Sequence, residues 1–137
     1  MLAFDFGEKR IGVAVGDFET RLAHPLTTLD AADNRSRFAA IEALIGEWAP
    51  VRLVVGLPAH ADGTEHEMSR LARRFALRLH GRFGVPAELV DERLTSVAAE
   101  SALREIGTRS RSGKAAIDAL AAQEILRTYF ESGAAAP

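Results

Sequence analysis

The chain contains no cysteine, which excludes a disulfide framework and thiolate metal ligation. It has no apolar run long enough to span a bilayer, and Asp5 and Glu8 interrupt its start before an apolar signal region can form. Both features lead us to expect a soluble protein of a reducing cytoplasm with no membrane partner. An excess of positive charge is missing too: 17 Lys and Arg against 19 Asp and Glu give a net charge of −2 and a pI near 6.1. A polyanion would therefore have to be held by local patches instead of the global field. Of those 17 basic residues only Lys9 and Lys114 are lysine, a bias that a GC-rich genome explains as readily as a need for guanidinium chemistry.

What is present is an ordinary globular balance, 47% hydrophobic and 26% charged over 137 residues, enough for one domain with a proper core. We expect a single domain over residues 1–131 and a frayed tail over 132–137. The segments 1–7 and 11–16, joined by Glu8-Lys9-Arg10, read as a β-hairpin, and a third strand near 22–29 carries Pro25, which places it at a sheet edge. Asp33 offers an N-cap to a helix whose apolar residues Phe38, Ile41, Leu44, Ile45 and Trp48 recur at helical spacing until Pro50. A strand over 51–55 follows and ends at Gly56-Leu57-Pro58. Thr64-Glu65-His66-Glu67 has capping-box spacing for a helix over about 65–80, ended by Gly81 and Gly84. A strand over 85–90 leads to Asp91-Glu92-Arg93-Leu94-Thr95-Ser96, where Thr95 or Ser96 caps a helix through about Ile106. After a polar loop over 107–113, a last helix runs from Lys114 to about Phe130. Antiparallel strands first and alternating strand and helix later predict an α/β fold, a mixed sheet covered by helices.

Three acids stand out against this pattern. Alternation puts Leu2, Phe4 and Phe6 on one face of the first strand and Ala3, Asp5 and Gly7 on the other, so a carboxylate sits where its neighbours ask for burial. Asp118 shares the apolar stripe of the last helix with Ala122, Ile125 and Tyr129, while Gln123, Glu124 and Arg127 lie across it. The plain structural alternative for Asp118 is an ion pair with Lys114 one turn earlier. Glu92 and Asp91 close the late strand, and alternation groups Glu92 with Glu88 and Val90 but Asp91 with Ala87 and Leu89, without choosing between them. Acids from a first strand, a late strand end and a final helix meet only through the fold. Their mutual repulsion is relieved by a divalent cation, and an oxygen-only donor set favours Mg2+ or Mn2+ over zinc. Such a site binds phosphate oxygens and activates water.

The segments DFGEKRIGVAVGD, GLPAHADGTE, DERLTS and KAAIDALAAQEIL, in this order over nearly the whole chain, resemble the YqgF family, resolvase-like nucleases implicated in maturing the small-subunit ribosomal RNA precursor. The resemblance implies an RNase H-like mixed five-stranded sheet flanked by helices. It also implies a metal-dependent endonuclease acting in 5′-end maturation of pre-16S rRNA, in which Asp5, Glu92 and Asp118 hold Mg2+ or Mn2+ and activate water. Gly7, Arg10 and Arg93 match positions beside those acids, where they steady the site or contact phosphate, although a tight turn accounts for Gly7 and for Gly12, and structural ion pairs account for the arginines. Precursor rRNA and pre-ribosomal particles are the implied partners, with branched DNA as the alternative substrate and a monomer or homodimer as the working unit. The chain departs from the family in carrying Ala3 where glycine is frequent.

Electrostatics adds Arg109, Arg111 and Lys114 as a basic patch beside Asp118, suited to guiding a nucleic-acid strand. Arg70, Arg74 and Arg78, at i+4 steps, read instead as an exposed helix face. Gly107 to Lys114 is not a P-loop, because five residues separate its glycines and Ala115 follows the lysine. Three other readings compete with the processing nuclease: a resolvase of four-way DNA junctions, a non-catalytic RNA-binding assembly factor, and an ATP-binding protein of the actin and sugar-kinase type, which clamps nucleotide between two such domains where this chain has one.

Overall fold

The computed structural model describes residues 1–7, 9–30, 33–57, 67–91 and 111–133, with backbone alone over 111–116. The chain opens as an antiparallel meander of β1 (Leu2–Asp5), β2 (Arg10–Gly16) and β3 (Ala23–Asp30). Helix α1 (Asn34–Trp48) then leads to β4 (Leu53–Leu57), and α2 (Glu67–Phe83) leads to β5 (Ala87–Asp91). Both later strands run parallel to β1, giving one mixed sheet in the order β3-β2-β1-β4-β5. The last described helix is α3 (Arg111–Glu131).

Period-two alternation in the strands produces two cores. Leu2, Phe4, Ile11, Val13, Leu53 and Val55 face α1 and α2, where Phe38, Ile41, Phe75 and Leu79 meet them. Phe75 sits edge-on to Phe4, with ring centroids 5.8 Å apart, and tilted against Phe6 at 4.9 Å. Such ring pairs add roughly 0.5–1.5 kcal/mol beyond their burial. On the opposite face Ala3, Ala14, Val54 and Val90 meet Ala122, Ile125, Leu126, Tyr129 and Phe130 of α3. Small residues dominate the strands on that side, so α3 lies close to the sheet.

Local signals explain most boundaries. Pro25 does lie in an edge strand, and the β2–β3 register slips between Val13 and Ala14, leaving Leu26 as the extra residue of a bulge. The α1 N-cap is Asp33, whose Oδ1 accepts the Ser36 N–H at 2.8 Å. Several boundaries move, and β5 starts at Ala87, two residues later than expected. Helix α2 passes through Gly81 and ends at Gly84, where φ of +69° lets the Gly84 N–H reach the His80 carbonyl at 2.9 Å. Helix α3 begins at Arg111 instead of Lys114, because Ser112 and Gly113 are absorbed into its first turn. The fourth strand starts at Leu53, two residues later than its apolar run suggests. The capping box at Thr64, the helix through Ile106, the loop over 107–110 and the tail beyond 133 lie outside the described residues.

The cap makes stability pH-dependent in a defined direction. The Ser36 backbone N–H, followed by its hydroxyl, holds the Asp33 carboxyl below the ordinary carboxylate range. A depressed folded-state pKa contributes stability above the unfolded value, and this is lost as pH falls through the folded one. Asp33→Asn keeps an oxygen acceptor for Ser36 but cannot titrate, so its melting temperature is expected to fall less steeply than wild type below about pH 4. Melting curves from pH 2 to 6 check this.

Candidate active site

The site forms where β1 ends. Asp5 is its last residue, half-buried and directly opposite Gly12 of β2 in the antiparallel register. It shares the face of Ala3, so it points to the α3 side of the sheet.

Gly12 brings Asp118 to the same place. A Cβ on Gly12 would lie 1.8 Å from the Asp118 carbonyl oxygen, 2.3 Å from its carbonyl carbon and 3.0 Å from the Ala119 nitrogen. Only a residue without a side chain allows α3 to cross β2 at this height. Asp5 and Asp118 therefore flank one glycine, one from the strand beside it and the other from the helix above it. Farther along the same strand Gly16 is closely packed for another reason: a Cβ there would lie 2.4 Å from the Leu22 carbonyl oxygen, with only the side-chain ends of Leu126 and Phe130 of α3 at 3.0 and 3.2 Å.

Arg10 completes the described part of the site. Its Nε–H donates to Asp118 Oδ2 at 2.8 Å, so Asp118 is paired across 108 positions of sequence. Side-chain exposures of 43% and 21% make this a surface-type ion pair, worth about 0–1 kcal/mol to folding. Its larger effect is orientation, because the guanidinium fixes the carboxylate rotamer and sets a positive charge at the sheet end. Gly7 is explained by the turn itself: a Cβ there would come within 2.5 Å of the Arg10 carbonyl oxygen, so the hairpin that delivers Arg10 closes only around glycine.

A second anchor holds the other end of α3. The Tyr129 hydroxyl donates to Glu88 of β5 and accepts from Arg52, whose guanidinium also lies 5.1 Å from the Phe18 ring centroid. Burial first, then the bond to Glu88, push the Tyr129 phenol above its ordinary pKa, so it stays a neutral donor. With Gly12 below Asp118 and Glu88 beside Tyr129, α3 is fixed at two points along its length.

The contacts of β5 resolve the parity that the sequence leaves open. Glu88 and Val90 face α3, while Ala87 packs with the α1–α2 core and Leu57, the partner of Asp91, does the same. Asp91 therefore has the parity of the face turned away from Asp5. Glu92 and Arg93 lie outside the described residues, as do Arg109, Thr95 and Ser96; of Arg111 and Lys114 only the helical backbone is described. Among the described residues no three His, Cys, Asp or Glu side chains come together as a metal-binding group. Asp118 pairs with Arg10, a contact that the closed hairpin and the packed helix bring about, while the side chain of Lys114, the alternative partner, lies outside the described part of the structure.

Residues 1–132 match the family described as "RuvX: Holliday junction resolvase". A protein of Dechloromonas aromatica is 61% identical over 132 residues, covering 96% of this chain and 90% of its own. One of Chromobacterium violaceum is 60% identical over 131 residues, 95% of this chain and 96% of its own. A third, of Nitrosomonas europaea, is 57% identical over 136 residues, 99% and 92%. All three carry the name "Putative pre-16S rRNA nuclease". Among solved structures, Thermus thermophilus RuvC in complex with a Holliday junction superposes with a TM-score of 0.56 at 17% identity, over 100% of this chain and 99% of that one. Another structure of the same RuvC gives 0.51 at 16% identity, over 97% of both chains. The sheet order and helix placement are thus the RNase H-like fold expected from the sequence. With a family match over 1–132 and relatives near 60% identity along almost their whole length, the chain belongs to the RuvX family, the YqgF group that its motifs resemble.

Proposed function

We propose that this chain is a metal-dependent endonuclease that hydrolyses phosphodiester bonds in precursor 16S rRNA, acting in 5′-end maturation. One observation carries the mechanism: Gly12 lets the backbone of α3 descend onto β2, which sets Asp118 beside Asp5 at the end of β1. Two aspartates on a rigid strand and a packed helix, with no cysteine in the chain, fit a hard divalent cation such as Mg2+ or Mn2+. The third ligand we assign is Glu92, supported by the parity of β5, in which Glu88 and Val90 face α3.

A bound divalent ion in such a site polarises the phosphate and lowers the pKa of an attacking water. The chain's own residues supply the rest. Asp5 is held by the strand ladder, so its carboxylate has little freedom. Arg10 holds the Asp118 rotamer and offers positive charge where phosphate oxygens approach. To Arg93, Arg109, Arg111 and Lys114 we assign, on their charge and place in the sequence alone, the guiding of the strand towards Asp118, and to Gly7 the tight hairpin beside it.

The names of the relatives favour ribosomal RNA as the substrate. The family's description favours a four-way DNA junction, which requires paired cuts by a homodimer. End-labelled precursor 16S RNA and a labelled junction, each incubated with Mn2+ or EDTA, separate the two. Cleavage of the RNA in Mn2+ and none in EDTA is the expected result. Cleavage confined to the junction moves the substrate to DNA, and cleavage that persists in EDTA contradicts a metal-dependent site.

A further inference from the structure

We propose that the cleft between α1 and α2 is a second phosphate-binding subsite, which takes the backbone of a nucleic-acid strand on the side of the sheet opposite α3. The inference deepens the nuclease reading by naming where the strand flanking the cleaved bond is held. Its first support is charge. The cleft is a cavity of about 340 Å³ whose walls include Arg37, Arg74 and Arg78 and, among the described residues, no carboxylate. In a chain of net charge −2, three guanidiniums around one cavity are a strong local concentration.

The arginines divide the work. Arg37 is only 7% exposed and lies 5.5 Å from the Phe6 ring centroid, so it is built into the wall. Arg74 and Arg78 stand one turn apart on α2, the first exposed and the second half-buried, and neither forms an ion pair among the described residues. Like charges at i and i+4 repel by a few tenths of a kcal/mol, roughly, and a phosphate between them reverses that sign. The N-terminus of α1 borders the same cavity through Asn34, but its dipole already holds the Asp33 carboxylate, which also faces the charge of Arg37, so the subsite rests on Arg74 and Arg78.

Position is the second support. The floor of the cleft is Phe6, tilted against Phe75, and Phe6 is the residue after Asp5. The carboxylate site and the cleft therefore lie on the two faces of the same strand end, about one residue apart along β1. A strand whose scissile phosphate sits at Asp5 passes over the end of β1 and meets Arg74 and Arg78 with a flanking phosphate. The helix face that reads as merely solvated in the sequence is thus turned in part towards a cavity.

The test compares Arg74→Ala/Arg78→Ala with Arg70→Ala/Arg73→Ala, which removes equal charge from the same helix outside the cleft. Binding of a labelled single-stranded RNA and of a labelled four-way junction is measured in EDTA from 50 to 300 mM salt. The cleft variant is expected to bind at least one probe about tenfold more weakly, with the slope of log K against log salt reduced by about 1.4, and the control pair by much less. Equal losses in the two pairs, no loss in the cleft pair, or no binding of either probe by wild type would overturn the subsite. Because binding in EDTA is read separately from cleavage, a wild type that binds through the cleft but cuts neither substrate in Mn2+ refutes the nuclease reading alone. A wild type that cuts while the cleft pair binds normally refutes the subsite alone.

Discussion

Asp118→Asn is expected to lower the metal-supported cleavage rate by on the order of 10³-fold while leaving the melting temperature within a few degrees of wild type. The magnitude follows from what an amide cannot do. A neutral carboxamide is a poor ligand for a hard cation, and the ion supplies several kcal/mol of charge stabilisation in the transition state, with each ~1.4 kcal/mol worth a factor of ten. The folding effect is small because the only described ion pair lost, with Arg10, is partly exposed. Asp5→Asn is expected to behave alike in rate. Rates under single-turnover conditions, set beside thermal melts of the same preparations, separate loss of chemistry from loss of structure. Both variants cleaving at the wild-type rate would remove Asp5 and Asp118 from the site.

The second large effect is steric and lies at a residue without a side chain. Gly12→Ala places a methyl group 1.8 Å from a backbone carbonyl oxygen, and a backbone atom has no rotamer through which to yield. Helix α3 must lift by more than an ångström, carrying Asp118 away from Asp5. Overpacking of this kind costs typically about 1–3 kcal/mol, and a displacement near 1 Å lowers catalysis about 10²-fold. Gly46→Ala and Gly81→Ala are the controls: both glycines lie inside helices with nothing within 4 Å of an added Cβ. Relief of helical glycine is expected to stabilise each by about 0.4–1 kcal/mol with no change in rate. Melting temperatures and cleavage rates of the three variants check the contrast, and a Gly12→Ala protein as stable and active as wild type would mean that α3 does not depend on that close approach.

Much of this arrangement is legible from local chemistry. Asp33 announces its cap, Pro25 announces an edge strand, and alternation around Phe4 and Phe6 assigns Asp5 to the face later covered by α3. The stripe of Ala122, Ile125 and Tyr129 places Asp118 towards the sheet for the same reason, and all three are buried. What local chemistry does not carry is contact between distant segments. The Arg10–Asp118 pair needs a hairpin closed by Gly7 and a helix seated on Gly12, so spacing along the sequence offers only Lys114 at i−4 as a partner and does not reveal Arg10. Helix ends err where a competing residue is tolerated: Gly81 costs α2 about 1 kcal/mol without ending it, whereas Gly84 ends it by adopting positive φ. Arg74 and Arg78 read as solvated because spacing along α2 does not reveal that α1 and Phe6 build a cavity beside them.

The central claim is that Asp5 and Asp118 hold a divalent cation together, and calorimetric titration of Mn2+ into wild type, Asp5→Asn and Asp118→Asn tests it without any substrate. Binding to the wild type that is weakened at least tenfold in both variants, with Asp91→Asn unchanged, is the predicted result. Equal binding by all four proteins, or none by the wild type, would contradict it.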